Sequence, residues 1–182
     1  FIISIYLIGF FSDRKILVSP KKRFLIQCVL ILLFVVIFDI RINSSRIELF
    51  DVILSNKIFA IPFSAFCLLI LINGSNFIDG LNGISSGLAV IVLMALISIS
   101  NGKSMYDVSN FLLFLLSSCL GFWIVNQFFG KIFMGDSGSY FVGALVGWTG
   151  VKITFENEII SPWTIFFIII YVNPKIWEGS AH

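Results

Sequence analysis

Charge is scarce in this sequence: 12% of its 182 residues are charged, 58% are hydrophobic, and the mean hydropathy is +1.04. So few charges cannot cover the surface of a water-soluble domain. That shortage excludes a soluble globular enzyme, a disordered chain and a nucleic-acid binder, and it leaves an all-α, polytopic helical integral membrane protein. The net charge of +2 adds little. Cysteine is also rare, and Cys28, Cys67 and Cys119 all lie inside apolar runs, which argues for small core residues rather than a disulfide framework. Histidine occurs once, as His182 at the end. No cleavable signal peptide is visible, and because the chain opens on Phe1 rather than Met, sequence ahead of it is expected to be missing.

What is present is apolar sequence in long runs. Reading them between polar interruptions predicts about seven transmembrane helices, over 1–11, 24–40, 58–73, 84–100, 111–129, 139–153 and 162–173. The best are about 16 to 19 residues, or roughly 24–29 Å long, which barely spans a bilayer core. Ile, Val and Phe are abundant, yet no run alternates with the period of two that a transmembrane barrel strand needs. The chain therefore reads as one transmembrane domain over 1–182, without internal repeat or linker. Threading the spans alternately puts loops 12–23, 74–83 and 130–138 on one side. Five basic residues, Arg14, Lys15, Lys21, Lys22 and Arg23, crowd into the first of these loops, which biases that side to the cytoplasm.

The unusual polar sequence falls in those same loops. The segment Asn73-Gly74-Ser75-Asn76-Phe77-Ile78-Asp79-Gly80-Leu81-Asn82-Gly83 gathers amides, a carboxylate and glycines. Glycines let backbone approach a ligand, while Asn and Asp offer hard oxygens and amide donors suited to a nucleotide or a metal-bound phosphate. A plain turn with Asp79 or Asn82 capping the next helix is the alternative. The second segment reads Gly130-Lys131-Ile132-Phe133-Met134-Gly135-Asp136-Ser137-Gly138. Its Gly-Asp-Ser-Gly is like the nucleophile loop of chymotrypsin-type proteases, but that chemistry needs a soluble double β-barrel and a histidine base. Asp136 as an N-cap for helix 139–153 is the structural alternative, and it is compatible with holding Mg²⁺. In loop 12–23, Asp13 stands beside basic residues whose plain role is to anchor the cytoplasmic side; the combination suits a substrate carrying phosphates and a divalent ion. A transporter would place ionisable groups near mid-membrane, whereas Asp39 and Lys152 fall at span ends. An interfacial phosphoryl-transfer enzyme fits better.

The pattern Asn73-x-x-Asn76-x-x-Asp79-Gly80-Leu81-x-Gly83, followed by Phe133-Met134-Gly135-Asp136-Ser137-Gly138-Ser139, resembles the polyprenyl-phosphate N-acetylhexosamine-1-phosphate transferases, the superfamily of the MraY- and WecA-type enzymes. Residues Ile8 to Lys22 look like that family's aspartate-pair loop, and Phe122 to Gln127 resembles its Asn-containing helix end. The resemblance covers about residues 5–172. It implies transfer of a sugar-1-phosphate, of N-acetylhexosamine type, from a UDP-sugar to undecaprenyl phosphate. UMP would be released at the cytoplasmic face of a bacterial inner membrane, for peptidoglycan or another envelope polysaccharide.

Carried over by position, Asp13, Asp79 and Asp136 would be catalytic, with Asp136 and Asn76 as ligands of Mg²⁺, or of Mn²⁺ in its place. Asn73, Asn76, Gly80, Leu81, Asn82 and Lys131 would bind substrate, and Asp13 would orient the acceptor phosphate. The implied partners are the polyprenyl phosphate, the UDP-sugar and membrane lipids, with no nucleic acid; a homodimer is compatible with the resemblance. Ser12 stands where the family commonly has a first aspartate, and Asn82 where many members have another. A histidine-bearing loop of the family is expected outside this sequence. The competing expectations are a catalytically incomplete fragment of such an enzyme and, more remotely, a transporter.

Overall fold

The computed structural model describes residues 1–42, 44–45, 47–79, 83–130 and 132–156. Among these residues there are seven helices and no strand: α1 (Ile2–Asp13), α2 (Pro20–Phe38), α3 (Glu48–Leu54), α4 (Lys57–Ile78), α5 (Ile84–Gly102), α6 (Tyr106–Phe129) and α7 (Gly135–Glu156). The all-α expectation holds, but these are not the seven helices expected. Six coincide with apolar runs, the run 162–173 lies outside the described residues, and α3 forms within what reads in sequence as a loop.

The number of spans also needs correction. Among the described residues three helices, α4, α5 and α6, are long and apolar enough to cross a membrane, and α1 is a shorter apolar helix. α2 misses because Lys21, Lys22 and Arg23 open it, and α7 because Gly, Ser and Thr interrupt its apolar residues. The spans themselves are longer than their apolar runs. α4 has 22 residues and α6 has 24, or roughly 33 and 36 Å. Polar residues at a membrane boundary keep the helical hydrogen bonding going, so Asn76, expected in loop 74–83, sits with Asn73 on the last turns of α4.

Local signals explain the helix ends. Ser19 is the N-cap of α2 and Pro20 follows at the first helical position, where its missing N–H costs nothing. α6 stops at Gly130, whose left-handed backbone (φ +58°) returns its N–H to the Asn126 carbonyl. Pro62 lies inside α4, and two residues on, Ser64 Oγ donates to the Ala60 carbonyl while accepting from the Ile42 N–H.

The chain divides into two compact units. The first takes Phe1–Asn76 and the described residues from Met134 onward; the second takes Phe77–Phe133. In the first, Ile5 and Ile8 of α1, Ile31 and Val35 of α2, Leu68 and Ile72 of α4, and Tyr140 and Ala144 of α7 share one core. α1 runs along α7, and Gly9 lets the backbones meet: a Cβ there would lie 2.4 Å from the Asp136 carbonyl oxygen. α4 packs against Gly143 and Gly147 of α7, one turn apart, where the missing side chains let the helices approach closely. In the second unit α5 and α6 pair, and Leu93 and Leu96 of α5 and Leu112 and Leu115 of α6 are buried. Phe114 and Phe128 point outward, 75% and 76% exposed, as lipid-facing side chains do. The three cysteines are unbridged, Cys119 being buried and the others half-buried.

Gly143 and Gly74 provide opposite tests of this packing. A Cβ at Gly143 would lie 2.9 Å from the Ile72 Cα, whereas nothing approaches within 4 Å at Gly74. Gly143→Leu is expected to destabilise the detergent-solubilised protein by about 1–3 kcal/mol. Gly74→Ala should be neutral or stabilising by up to about 1 kcal/mol. Thermal unfolding of the two variants checks both signs.

Candidate active site

At one end of the first unit, the C-terminal ends of α1 and α4 meet the N-terminal ends of α2 and α7. The first turn of a helix leaves backbone N–H groups without intrahelical partners. In α7 those of Asp136 and Ser137 donate to the Asp13 carboxylate of α1, at 2.9 and 3.0 Å, and the Ser137 hydroxyl adds a third bond at 2.6 Å. Asp13 is therefore the cap of α7, supplied from another helix. Gly135 makes room for it. Its φ is +67°, and a Cβ there would lie 3.0 Å from Asp13 Oδ2. The capping role expected of Asp136 is thus corrected: α7 begins one residue earlier, at Gly135, so Asp136 lies inside the first turn with its carboxylate turned elsewhere.

That carboxylate meets α1 and α2. Ser12 Oγ donates to Asp136 Oδ2 at 2.5 Å, and Arg23 Nη1 donates to both Ser12 Oγ and Asp136 Oδ2. The pair is well sheltered, with the Arg23 side chain 16% and the Asp136 side chain 26% exposed. Sequence reasoning treats Arg23 as an anchor in a basic loop. The structure places it on the carboxylate instead.

Beneath this layer lies a buried polar network joining α2, α4 and α7. Ser139 Oγ donates to Asn76 Oδ1 at 2.8 Å and to the Gly135 carbonyl oxygen at 2.7 Å. The buried Tyr140 side chain lies beside those of Asn76 and Gln27, and Asn73 Nδ2 donates to Gln27 Oε1 at 2.9 Å. Asn73 and Asn76, three residues apart, reach this network from one face of α4. Gln27 is fully buried and was missed from the sequence, although an amide in the apolar run from Phe24 to Phe38 was the available signal.

The second unit holds the remaining candidates. Asn126, near the end of α6, accepts from the Gly83 N–H through Oδ1 and donates through Nδ2 to the Ile132 carbonyl. One buried amide thus ties the residue that closes the 73–83 motif to the segment that leads into the 133–139 motif. Among the described residues no side-chain cap hydrogen bond is seen at the start of α5, whose N-cap is Gly83 with φ +74°; a Cβ there would collide with Gln127. Asp79 is half-buried at the end of α4 and has a partner of its own. Gly80, Leu81, Asn82 and Lys131 lie outside the described residues. Asp13, Asn73, Asn76 and Asp136 are accordingly the expected site residues that one unit brings together.

A family model described as glycosyl transferase family 4 matches residues 1–154, which contain every one of these side chains. The chain belongs to that family. Among its curated relatives is a phospho-N-acetylmuramoyl-pentapeptide-transferase of Prochlorococcus marinus (strain NATL2A), 32% identical over 161 residues, covering 80% of this chain and 42% of the relative. Proteins of the same name from Streptococcus agalactiae (strain A909) and Streptococcus sanguinis (strain SK36) are 28% and 29% identical. Those alignments cover 91% and 94% of this chain, and 50% and 54% of the relatives. The chain spans about half the length of the curated relatives it matches. The matched residues include Asp13, Asp79 and Asp136, and Ser12 gives Asp136 a hydroxyl neighbour.

Asn126 offers the clearest test of how this family member holds its loops. Asn126→Leu leaves the Gly83 N–H and the Ile132 carbonyl unpaired, at about 1–3 kcal/mol each. Asn126→Asp keeps an acceptor for Gly83 and loses only the donor. Hydrogen exchange at the Gly83 amide should therefore accelerate strongly in Asn126→Leu and remain close to wild type in Asn126→Asp.

Proposed function

We propose that this protein transfers a sugar-1-phosphate from a UDP-activated amino sugar to a polyprenyl phosphate at the cytoplasmic face of a bacterial inner membrane, releasing UMP. The observation that carries the reading is the convergence of Asp136, Asn76 and Asp13 at one end of a helical membrane unit, within a chain of glycosyl transferase family 4. The relatives' name makes phospho-N-acetylmuramoyl-pentapeptide the first transferred group to try. The density of basic residues in loop 12–23 supports the cytoplasmic side.

In this reaction an oxygen of the acceptor phosphate forms a bond to the sugar-bearing phosphorus. The bond from that phosphorus to the UMP oxygen breaks, and UMP leaves with the electron pair. A phosphate monoester is already mostly dianionic at pH 7, so the protein need not remove a proton from it. Its task is to hold like-charged groups together and in line.

Among the described residues no three His, Cys, Asp or Glu side chains cluster as a metal cage. Mg²⁺ needs no such cage, because it takes one or two carboxylates and completes its shell with phosphate oxygens and water. The Asp136 carboxylate and the Asn76 amide oxygen are hard donors of that kind and would hold it; Ser139 Oγ bonds both to that amide oxygen and to the Asp136 backbone carbonyl. Bound there, Mg²⁺ would screen the phosphate charges and stabilise the departing oxygen. Ser139 fixes Asn76, and Asp13 fixes the backbone that carries Asp136. Asp13 therefore acts as a positioning residue, its oxygens being committed to α7.

Ser12 in place of a carboxylate beside Asp136 favours a second reading, in which the chain binds substrates without turning them over. Detectable UMP release by the 182-residue chain excludes it.

For the main reading, membranes containing the protein are supplied with undecaprenyl phosphate and either UDP-N-acetylmuramoyl-pentapeptide or UDP-N-acetylglucosamine. UMP release that requires Mg²⁺ is expected, with a fall of at least about a hundredfold for Asp136→Asn, the loss usual for a key electrostatic group. Wild-type rates in that variant would remove Asp136 from the reaction.

A further inference from the structure

We propose that Arg23 is a gate on the cation site: it occupies the Asp136 carboxylate as an internal counter-ion and yields it to a divalent ion when a phosphate monoester arrives. The inference rests on the reading of Asp136 as a metal ligand. Three observations carry it. Arg23 Nη1 contacts the same oxygen, Asp136 Oδ2, that Ser12 Oγ approaches at 2.5 Å, so a metal ion and the guanidinium compete for one position. Among the described residues Arg23 makes one further side-chain hydrogen bond, to the neutral Ser12 hydroxyl, and pairs with no second carboxylate. Its Nε is buried without a hydrogen-bond partner, and a buried donor left unpaired is a standing demand for an acceptor.

A phosphate monoester meets that demand. Its oxygens match the guanidinium fork, two parallel N–H···O bonds at a time, better than the single oxygen of Asp136 that Arg23 now contacts. Moving Arg23 onto phosphate removes a positive charge from Asp136, and by linkage phosphate and cation then bind more tightly together than apart. The site would stay closed to the cation until an anionic substrate is present.

The experiment measures Mn²⁺ binding by electron paramagnetic resonance to the 182-residue chain in detergent, with and without methyl phosphate as the monoester. Arg23→Gln keeps a hydrogen-bonding side chain but removes the charge; it should bind Mn²⁺ about tenfold more tightly than wild type without methyl phosphate, a coupling of ordinary size. Methyl phosphate should tighten Mn²⁺ binding more in wild type than in this variant. Arg23→Met, which removes the charge and adds no cation ligand, should tighten Mn²⁺ as well and serves if Arg23→Gln fails to fold. Unchanged or weaker Mn²⁺ binding in the folded variants, or an equal effect of methyl phosphate on Arg23→Gln and wild type, overturns the gate. Asp136→Asn separates the two ideas: if it abolishes Mn²⁺ binding while Arg23→Gln changes nothing, the metal reading stands and the gate falls. If Mn²⁺ binds no variant, or binds Asp136→Asn as well as wild type, both fall.

Discussion

The Asp13 carboxylate accepts hydrogen bonds from the backbone N–H groups of Asp136 and Ser137, which ties the last turn of α1 to the first turn of α7. Much else depends on that bond pair. It satisfies donors that would otherwise lie unpaired at a helix start, and it sets the direction from which Asp136 presents its carboxylate. The close approach at Gly9 and the left-handed Gly135 are the two backbone allowances that make the contact geometrically possible. With the backbone fixed this way, the Asp136 side chain is turned toward Ser12 and Arg23 rather than into its own helix.

The layer beneath shows why polar residues are affordable among helices this apolar. Asn73 pairs with Gln27 and Ser139 with Asn76, so part of their desolvation is offset by hydrogen bonds made inside the unit. Such bonds rigidify what they touch. Here they touch Asn76, whose side-chain oxygen accepts from Ser139, and so they prepare an oxygen donor at a defined place. Gln27 Nε2 and Arg23 Nε remain buried and unpartnered, and both lie on α2, one turn apart.

The second unit solves a different problem with the same chemistry. Two motif segments far apart in sequence need a common anchor, and the Asn126 amide provides one because it can accept and donate at once. Gly83 and Gly130, both in the left-handed region, end the flanking helices abruptly enough for the segments to reach it.

The sequence by itself determined the class of the protein, because scarcity of charge and the length of the apolar runs leave a helical chain no aqueous alternative. It also determined the residues of interest: Asp13, Asn73, Asn76 and Asp136 stand out as polar side chains at the borders of apolar runs. Helix ends were less legible, since hydrophobicity fades before hydrogen bonding does, and so α4 carries Asn73 and Asn76 within it. The roles were not legible at all in a linear reading. Arg23 resembles any other member of a basic loop, and Asp13 any other acid beside it; only the packing of α1 and α2 against α7 made one the counter-ion of Asp136 and the other its helix cap. Composition and periodicity report where a side chain sits relative to lipid and water. Which two side chains come within hydrogen-bonding distance across more than a hundred residues is decided by helix packing, and that exists only in three dimensions.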